Sequence, residues 1–198
     1  MIAGVLLAAG RSQRMGQPKL LLPWRGLPLV RYIAQQALST QLDELLVVVG
    51  HRAEHMLAAL DGLDVRIVRN ERFLDGQSTS LGAGIAAVGA DVSAALVLLA
   101  DQPLLQPQTI DALLDVYRRE HPPIVVPRYD GQRGNPVLFD SALFPELRAI
   151  TGDRGARDVI MAHQDEIRWL DTTDRGILLD IDTPDTYERL IEQSGVER

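Results

Sequence analysis

Short runs of leucine, valine and isoleucine alternate along this chain with longer stretches whose apolar residues recur at helical spacing. The runs Ile2 to Ala9, Leu45 to Val49, Asp64 to Val68 and Ala94 to Ala100 read as strands. Ile124 to Val126, Val137 to Phe139, Ile167 to Leu170 and Ile177 to Leu179 read as shorter extended segments. Helical patterns fall between them. Pro28 can open a first turn, after which Leu29, Ile33, Ala34 and Ala37 share one face. Arg52 to Leu60, Ser80 to Val88, Thr109 to Arg119 and Arg157 to His163 also read as helices. A last helix covers Pro184 to Ile191, with Thr183 as its cap and Asp185 and Glu188 near its positive end.

Strands that alternate with helices, and that are apolar on both faces, predict an α/β fold with a mostly parallel sheet covered by helices. The chain shows no internal repeat and no convincing linker, so residues 1–198 are read as one domain. Residues 128–156 are less regular and are expected to carry loops or a small antiparallel addition. In open α/β sheets ligands bind beyond the carboxyl ends of the strands. That rule singles out the loops after Ala9, Val68 and Ala100.

Composition narrows the function. A net charge of -7 and an aromatic content of 5% argue against a nucleic-acid surface. The absence of cysteine excludes thiol catalysis, disulfides and thiolate-bound metals. No stretch approaches the ~20 apolar residues of a membrane span, and the first apolar run lacks the basic flank of a signal peptide. A cytoplasmic protein with no membrane partner is expected. The charge is unevenly placed, however. Residues 1–42 carry Arg11, Arg14, Lys19, Arg25 and Arg31 and no acidic residue. A basic segment on an acidic body suggests a local site for a small, multiply charged anion.

Lys19 is the single lysine among twenty cationic side chains. It follows a loop, Gly10 to Pro18, that holds Gly10, Gly16, Arg11, Ser12 and Arg14. Such a loop can offer backbone N–H groups and cations to phosphate oxygens. Its spacing matches neither G-x-x-x-x-G-K-[ST] nor G-x-G-x-x-G. Asp101 follows seven small or apolar residues, a place that packing explains poorly, and aspartate is a natural magnesium ligand beside phosphates. Capping or turn formation is the competing role. Asp182, in L-L-D-I-D-T-P-D-T, would share one face with Asp180 in a strand and could complete a metal site with Asp101 if the two strand ends are neighbours. Asp180 and Asp185 suit capping or solvent better. Asn70 to Ser80 could read a base or ribose by hydrogen bonds. G-Q-R-G-N-P, Gly131 to Pro136, and G-D-R-G-A-R, Gly152 to Arg157, could hold an anionic second substrate. His51 and His55 are spaced i, i+4 but lack the H-E-x-x-H order, and they read as surface residues.

L-L-A-A-G-R-S-Q-R-M-G-Q-P-K-L-L-L-P, Leu6 to Pro23, resembles the signature of the MobA-like nucleotidyltransferases. A-D-Q-P at Ala100 to Pro103, G-N-P-V-L-F at Gly134 to Phe139, G-D-R-G-A-R and D-I-D-T-P at Asp180 to Pro184 are similar, in the same order, to the molybdopterin cytidylyltransferase branch. Asn135 departs from that branch, where histidine is expected.

The resemblance implies a Rossmann-like three-layer nucleotidyltransferase fold and magnesium-dependent transfer of CMP from CTP to molybdopterin or its molybdenum-loaded form. It places Leu7, Ala8, Ala9, Gly10, Arg11, Ser12, Lys19, Asn70 and Ser80 at the nucleotide. It gives Lys19, Arg14 and Asp101 catalytic roles and makes Asp101 and Asp182 the ligands of Mg2+. Gly134, Asn135, Pro136, Arg154 and Arg157 fall to the acceptor. A molybdoenzyme or its maturation factor is the implied protein partner. Transfer of GMP or another nucleotide to a small phosphorylated acceptor is the alternative chemistry. A non-catalytic accessory factor that binds nucleotide or cofactor is the alternative class.

Overall fold

In the computed structural model, which describes residues 1–10 and 13–195, the chain forms an eight-stranded mixed sheet. The strands are β1 (Ile2–Ala8), β2 (Glu44–Val49), β3 (Arg66–Arg69) and β4 (Ala94–Leu99). They continue as β5 (Ile124–Tyr129), β6 (Gln132–Arg133), β7 (Val137–Asp140) and β8 (Ile167–Asp171). The order is β8-β5-β7-β4-β1-β2-β3, with β6 paired to β5. Pairings among β4, β1, β2 and β3, and between β8 and β5, are parallel. β7 runs antiparallel to β4 and β5, and β6 antiparallel to β5. The irregular stretch therefore does carry a small antiparallel addition.

The two-residue period of a strand explains the layering. Ile2, Leu6 and Ala8 of β1 enter one core layer, while Ala3 and Val5 enter the other. The same split divides Leu45, Val47 and Val49 from Leu46 and Val48. Helices α1 (Leu29–Leu38), α2 (Ala53–Leu60), α4 (Pro107–Glu120) and α7 (Pro184–Ser194) cover the first layer. The second is covered by α3 (Gln77–Ala87), α5 (Phe144–Ala149) and α6 (Arg157–Ala162). Each fully buried aliphatic side chain contributes about 1.5–3 kcal/mol before the entropy of ordering is subtracted. Among the described residues, no helix is long and apolar enough to cross a membrane.

Two features fix the ends of elements near the cleft. α3 lies so close to the sheet that a Cβ at Gly84 would meet Val5 Cγ1 at 2.5 Å and Val48 Cγ2 at 3.0 Å. Glycine at position 84 thus sets the height of α3 above β1 and β2. The segment expected to be extended at Ile177 to Leu179 is instead a 3-10 turn, Arg175–Leu178. Buried Asp174 causes it. Its carboxylate accepts from Gly176 N at 2.8 Å, Gln106 N at 2.9 Å and Thr109 Oγ1 at 2.7 Å, stapling this turn to the start of α4. The hydropathy pattern did not reveal α5, a six-residue helix opened by Phe144 and Pro145.

Candidate active site

Sheet order reverses between β1 and β4, and such a switch point leaves a crevice at the carboxyl ends of the strands. Lys19 and Asp101 meet there. Lys19 Nζ donates to Asp101 Oδ2 at 2.7 Å and to Asp182 Oδ1 at 2.9 Å. Arg14 donates to the other oxygen of Asp182 at 2.9 Å. Met15 and Leu20 are buried in the core on either side of the loop, and Leu21 N closes a turn on Pro18 O. That anchoring leaves Lys19 at the start of a 3-10 turn, aimed across the crevice. Ile181 N donates to Asp101 O at 2.9 Å, which holds the segment before α7 against the end of β4. Asp101 and Asp182 are therefore neighbours, although Asp182 is not on a strand. Thr183 caps α7 as expected, accepting from Thr186 N at 3.2 Å.

Three carboxylates share this end of the crevice. Burial pushes the Lys19 pKa down, but the charges and hydrogen bonds of Asp101 and Asp182 prevail and hold it above the usual lysine value. Burial likewise opposes ionisation of Asp182, and Lys19 and Arg14 overcome it, leaving that carboxyl below the usual range. Asp180 goes the other way. Burial and then the charge of Asp101 raise its pKa, although it accepts from Gln102 Nε2 at 2.6 Å. Gln102 Oε1 is buried without a partner. Asp180 lines the cleft, so its expected capping or solvent role is corrected to membership of this acidic group.

The crevice opens into a cleft of ≈ 1050 Å³. Leu7, Ala9, Gly10, Arg14, Lys19, Ser80, Asp101 and Asp182 line it. Ala8 lies one residue out of phase, and its side chain belongs to the opposite core layer. Asn70 sits behind the wall. Its Nδ2 donates to Thr79 Oγ1 and Ser80 Oγ, both at 3.0 Å, and its Oδ1 accepts from Arg72 N at 2.9 Å. Asn70 thereby positions Ser80 and the loop before α3. Arg11 and Ser12 lie outside the described residues.

The opposite wall comes from β6, β7 and the loop before α6. Asp130 and Gly131 both have positive φ between the paired residues Tyr129 and Gln132, a turn that favours such a dipeptide. This hairpin sets Arg133 on the wall. Asn135 and Arg157 line the cleft too, as does exposed Arg154, which pairs with Asp158 at 3.1 Å. Gly134 and Pro136 are buried beneath the wall and do not line it. A Cβ at Gly134 would strike Ile177, so this glycine permits the contact by which Asn135 N donates to Ile177 O at 3.0 Å. The loop at Gly152 also closes on α3. Asp153 Oδ1 accepts from Gln77 N at 3.0 Å, and Gly152 O accepts from Ser78 N at 3.3 Å. Residues expected at the nucleotide and at the acceptor are thus joined in one cleft. Arg133 has no individual sequence motif, but the Asp130-Gly131 dipeptide is a hairpin signal that places it here. Among the described residues, no group of three or more His, Cys, Asp or Glu side chains is arranged to hold a metal ion.

This site stands in a chain that belongs to the MobA-like NTP transferases: the description of the MobA-like NTP transferase domain matches residues 4–167. Nucleotidyltransferase chemistry in general is what family and fold support. Purine catabolism protein PucB of Bacillus subtilis is 34% identical, with 94% of each chain covered. Nicotine blue oxidoreductase of Paenarthrobacter nicotinovorans is 33% identical, with 96% of each covered. The crystal structure of Rv0371c from Mycobacterium tuberculosis superposes with a TM-score of 0.83 at 35% identity, covering 96% of this chain and 98% of that one. The same protein has also been solved in complex with manganese, and that structure superposes with a TM-score of 0.80 at 33% identity over the same shares of the two chains.

Proposed function

We propose that this protein transfers CMP from CTP to the phosphate of molybdopterin, or of its molybdenum-loaded form, releasing pyrophosphate. The observation that carries the nucleotidyl-transfer half is Lys19 held between Asp101 and Asp182 at the switch point of a MobA-like fold. The choice of CTP and molybdopterin rests on the motif resemblance. The product would pass to a molybdoenzyme or its maturation factor.

In this reaction an acceptor phosphate oxygen forms a bond to the α-phosphorus. The bond from that phosphorus to the α,β-bridging oxygen breaks, and the electron pair leaves with pyrophosphate. The nucleophile is already an anion, so no strong general base is required. The protein's task is to align two anions that repel each other and to neutralise the charge that develops. Lys19 is fixed from below by two carboxylates, and its compact ammonium would face the phosphates. Arg14, 71% exposed at its side chain and tied at one nitrogen to Asp182, has further donors to offer the departing pyrophosphate.

Asp101 and Asp182 would hold Mg2+, with Asp180 beside them. The donor set fits: it is all oxygen, and Asp101, Asp180 and Asp182 line the same end of the cleft. One or two carboxylates suffice for magnesium when substrate phosphates complete its shell. When bound, the ion would supply positive charge to the phosphate oxygens. That a Mycobacterium relative has been solved in complex with manganese supports a divalent cation as part of this reading.

The test is a panel of the four nucleoside triphosphates with magnesium and a molybdopterin acceptor, followed by pyrophosphate release. CTP should turn over, and no release with any nucleotide would overturn the reading. One observation favours a second reading, the relative named for an oxidoreductase activity. Consumption of a reduced nicotinamide dinucleotide, without pyrophosphate release, would select it.

A further inference from the structure

Among the described residues, two guanidinium groups on the far wall of the cleft have no ion-pair partner. Arg133 ends the β6 hairpin and Arg157 opens α6, and both line the cleft. Each of the other described cleft cations has an ion-pair partner. Lys19 binds Asp101 and Asp182, Arg14 binds Asp182, and Arg154 binds Asp158. Among the described residues, Arg133 and Arg157 enter no ion pair. They are also close enough to act on each other. Loss of hydration, and then the charge of Arg157, holds the Arg133 pKa below the usual arginine range. Two like charges on one concave wall repel. An anion lying between them removes that repulsion and gains charge-assisted hydrogen bonds.

We propose that Arg133 and Arg157 form a two-arginine phosphate subsite that seizes the acceptor's phosphate and presents its oxygen to the nucleotide. The proposal rests on the nucleotidyl-transfer reading and adds to it the group that selects a phosphorylated acceptor. Two planar forks match the several terminal oxygens of a phosphate dianion, whereas a carboxylate satisfies one fork only. Lys19 and Arg14 stand with the acidic group at the end of β4, so the nucleotide's phosphates already have a cationic partner there. The arginine pair belongs instead to the wall that carries Asn135.

Inorganic phosphate is the probe, titrated calorimetrically at low ionic strength into protein saturated with magnesium and α,β-methylene-CTP. Wild type should bind phosphate alongside the analogue. Arg133→Gln and Arg157→Gln should each weaken phosphate binding about tenfold or more, and the pair of changes should abolish it. Affinity for the analogue should stay within about twofold. Neither side chain supports another residue, so thermal melting should be unchanged, and Arg157→Lys should retain part of the phosphate affinity. Unaltered phosphate affinity in both Gln variants overturns the proposal. So does displacement of phosphate by the analogue, or a loss of analogue affinity in its place, since either assigns the pair to the nucleotide. Loss of phosphate binding in the variants, with no turnover of any nucleotide by wild type, upholds the subsite and removes the transferase reading.

Discussion

Lys19 Nζ lies 2.7 Å from Asp101 Oδ2, although 82 residues separate the two in the chain. The contact joins the loop after β1 to the end of β4 across the switch point. In the proposed reaction it would give the lysine two functions. The ammonium offsets the charge of Asp101 and Asp182 within the protein, and it faces the space where phosphate charge would develop.

Replacing Lys19 with Ala should therefore separate binding from turnover. Nucleotidyl transfer should fall by about two to three decades, the scale of a lost transition-state donor. Stability should fall as well, by up to about 3 kcal/mol, because Lys19 is only 12% exposed and its loss leaves Asp101 and Asp182 without their shared counter-cation. Affinity for Mn2+ without nucleotide should rise about tenfold, since the carboxylates lose their internal counter-cation; metal-ion calorimetry would read it. Lys19→Arg should also lose most activity, because a fork cannot occupy the place of a point charge between two carboxylates. Wild-type turnover in the arginine variant would remove the argument.

Asp101→Asn should abolish turnover supported by magnesium while leaving the fold intact. The amide keeps the size of the side chain and loses the charge that attracts a hard cation. Asp182→Asn should be weaker in effect, because that carboxylate is more exposed and is shared with Arg14. Activity measured against magnesium concentration would show both defects. Unchanged rate and magnesium requirement in both variants would mean that the cation, if needed, binds elsewhere.

The central sheet was legible because its strands are apolar on both faces, and the capped terminal helix because Thr183-Pro184 marks its start. The order of pairing was not, since no local pattern states that β7 inserts between β4 and β5. At the site, Lys19 and Asp101 stood out by being the wrong residues for their surroundings. Asp180 did not, because its burial comes from Gln102 and the 3-10 turn at Arg175–Leu178, both products of tertiary packing. Asn70 was expected at the nucleotide, but its bonds to Thr79 and Ser80 put its side chain behind the cleft wall, which no local pattern states. Strand periodicity would have turned Ala8 away from Leu7 and Ala9.

Asp180 and Asp182 should respond oppositely to pH. The folded-state pKa of Asp180 is raised, so the folded protein holds that proton more tightly than the unfolded chain. Its ionisation costs stability as pH rises from the ordinary aspartate value through the raised one. Asp182 has a lowered pKa, and its contribution is present above the ordinary value and lost as pH falls through the folded one. In metal-free buffer Asp180→Asn should stabilise the protein at pH 7, a gain that disappears below the ordinary aspartate value. Asp182→Asn should destabilise it at pH 7, and that loss should shrink in acid. Urea unfolding at several pH values measures both. Destabilisation of equal size by the two changes at pH 7 would contradict the charge balance described here.

Nucleotide choice is the sharpest test of the proposed reaction. Discrimination between bases is strongest when the wrong base leaves buried polar groups unpaired. Among the described residues, few polar side chains line the part of the cleft where the base would lie. Ser80 is buried and already accepts from Asn70, and Gln77 stands at the start of α3 beside the loop at Gly152. Leu7 and Leu81 make the adjoining wall apolar. A site of this kind should hold a pyrimidine against the leucines and read its edge through Ser80 and the backbone. The kcat/KM for CTP should then exceed that for GTP by at least about tenfold with the same molybdopterin acceptor. Ser80→Ala should narrow the ratio rather than lower both values together, because it removes an edge contact and leaves Lys19 and Asp101 in place. Equal values in the wild type, or a preference for GTP, would make this a guanylyltransferase of the same fold. A Ser80→Ala enzyme with an unchanged ratio would show that the base is read from elsewhere in the cleft.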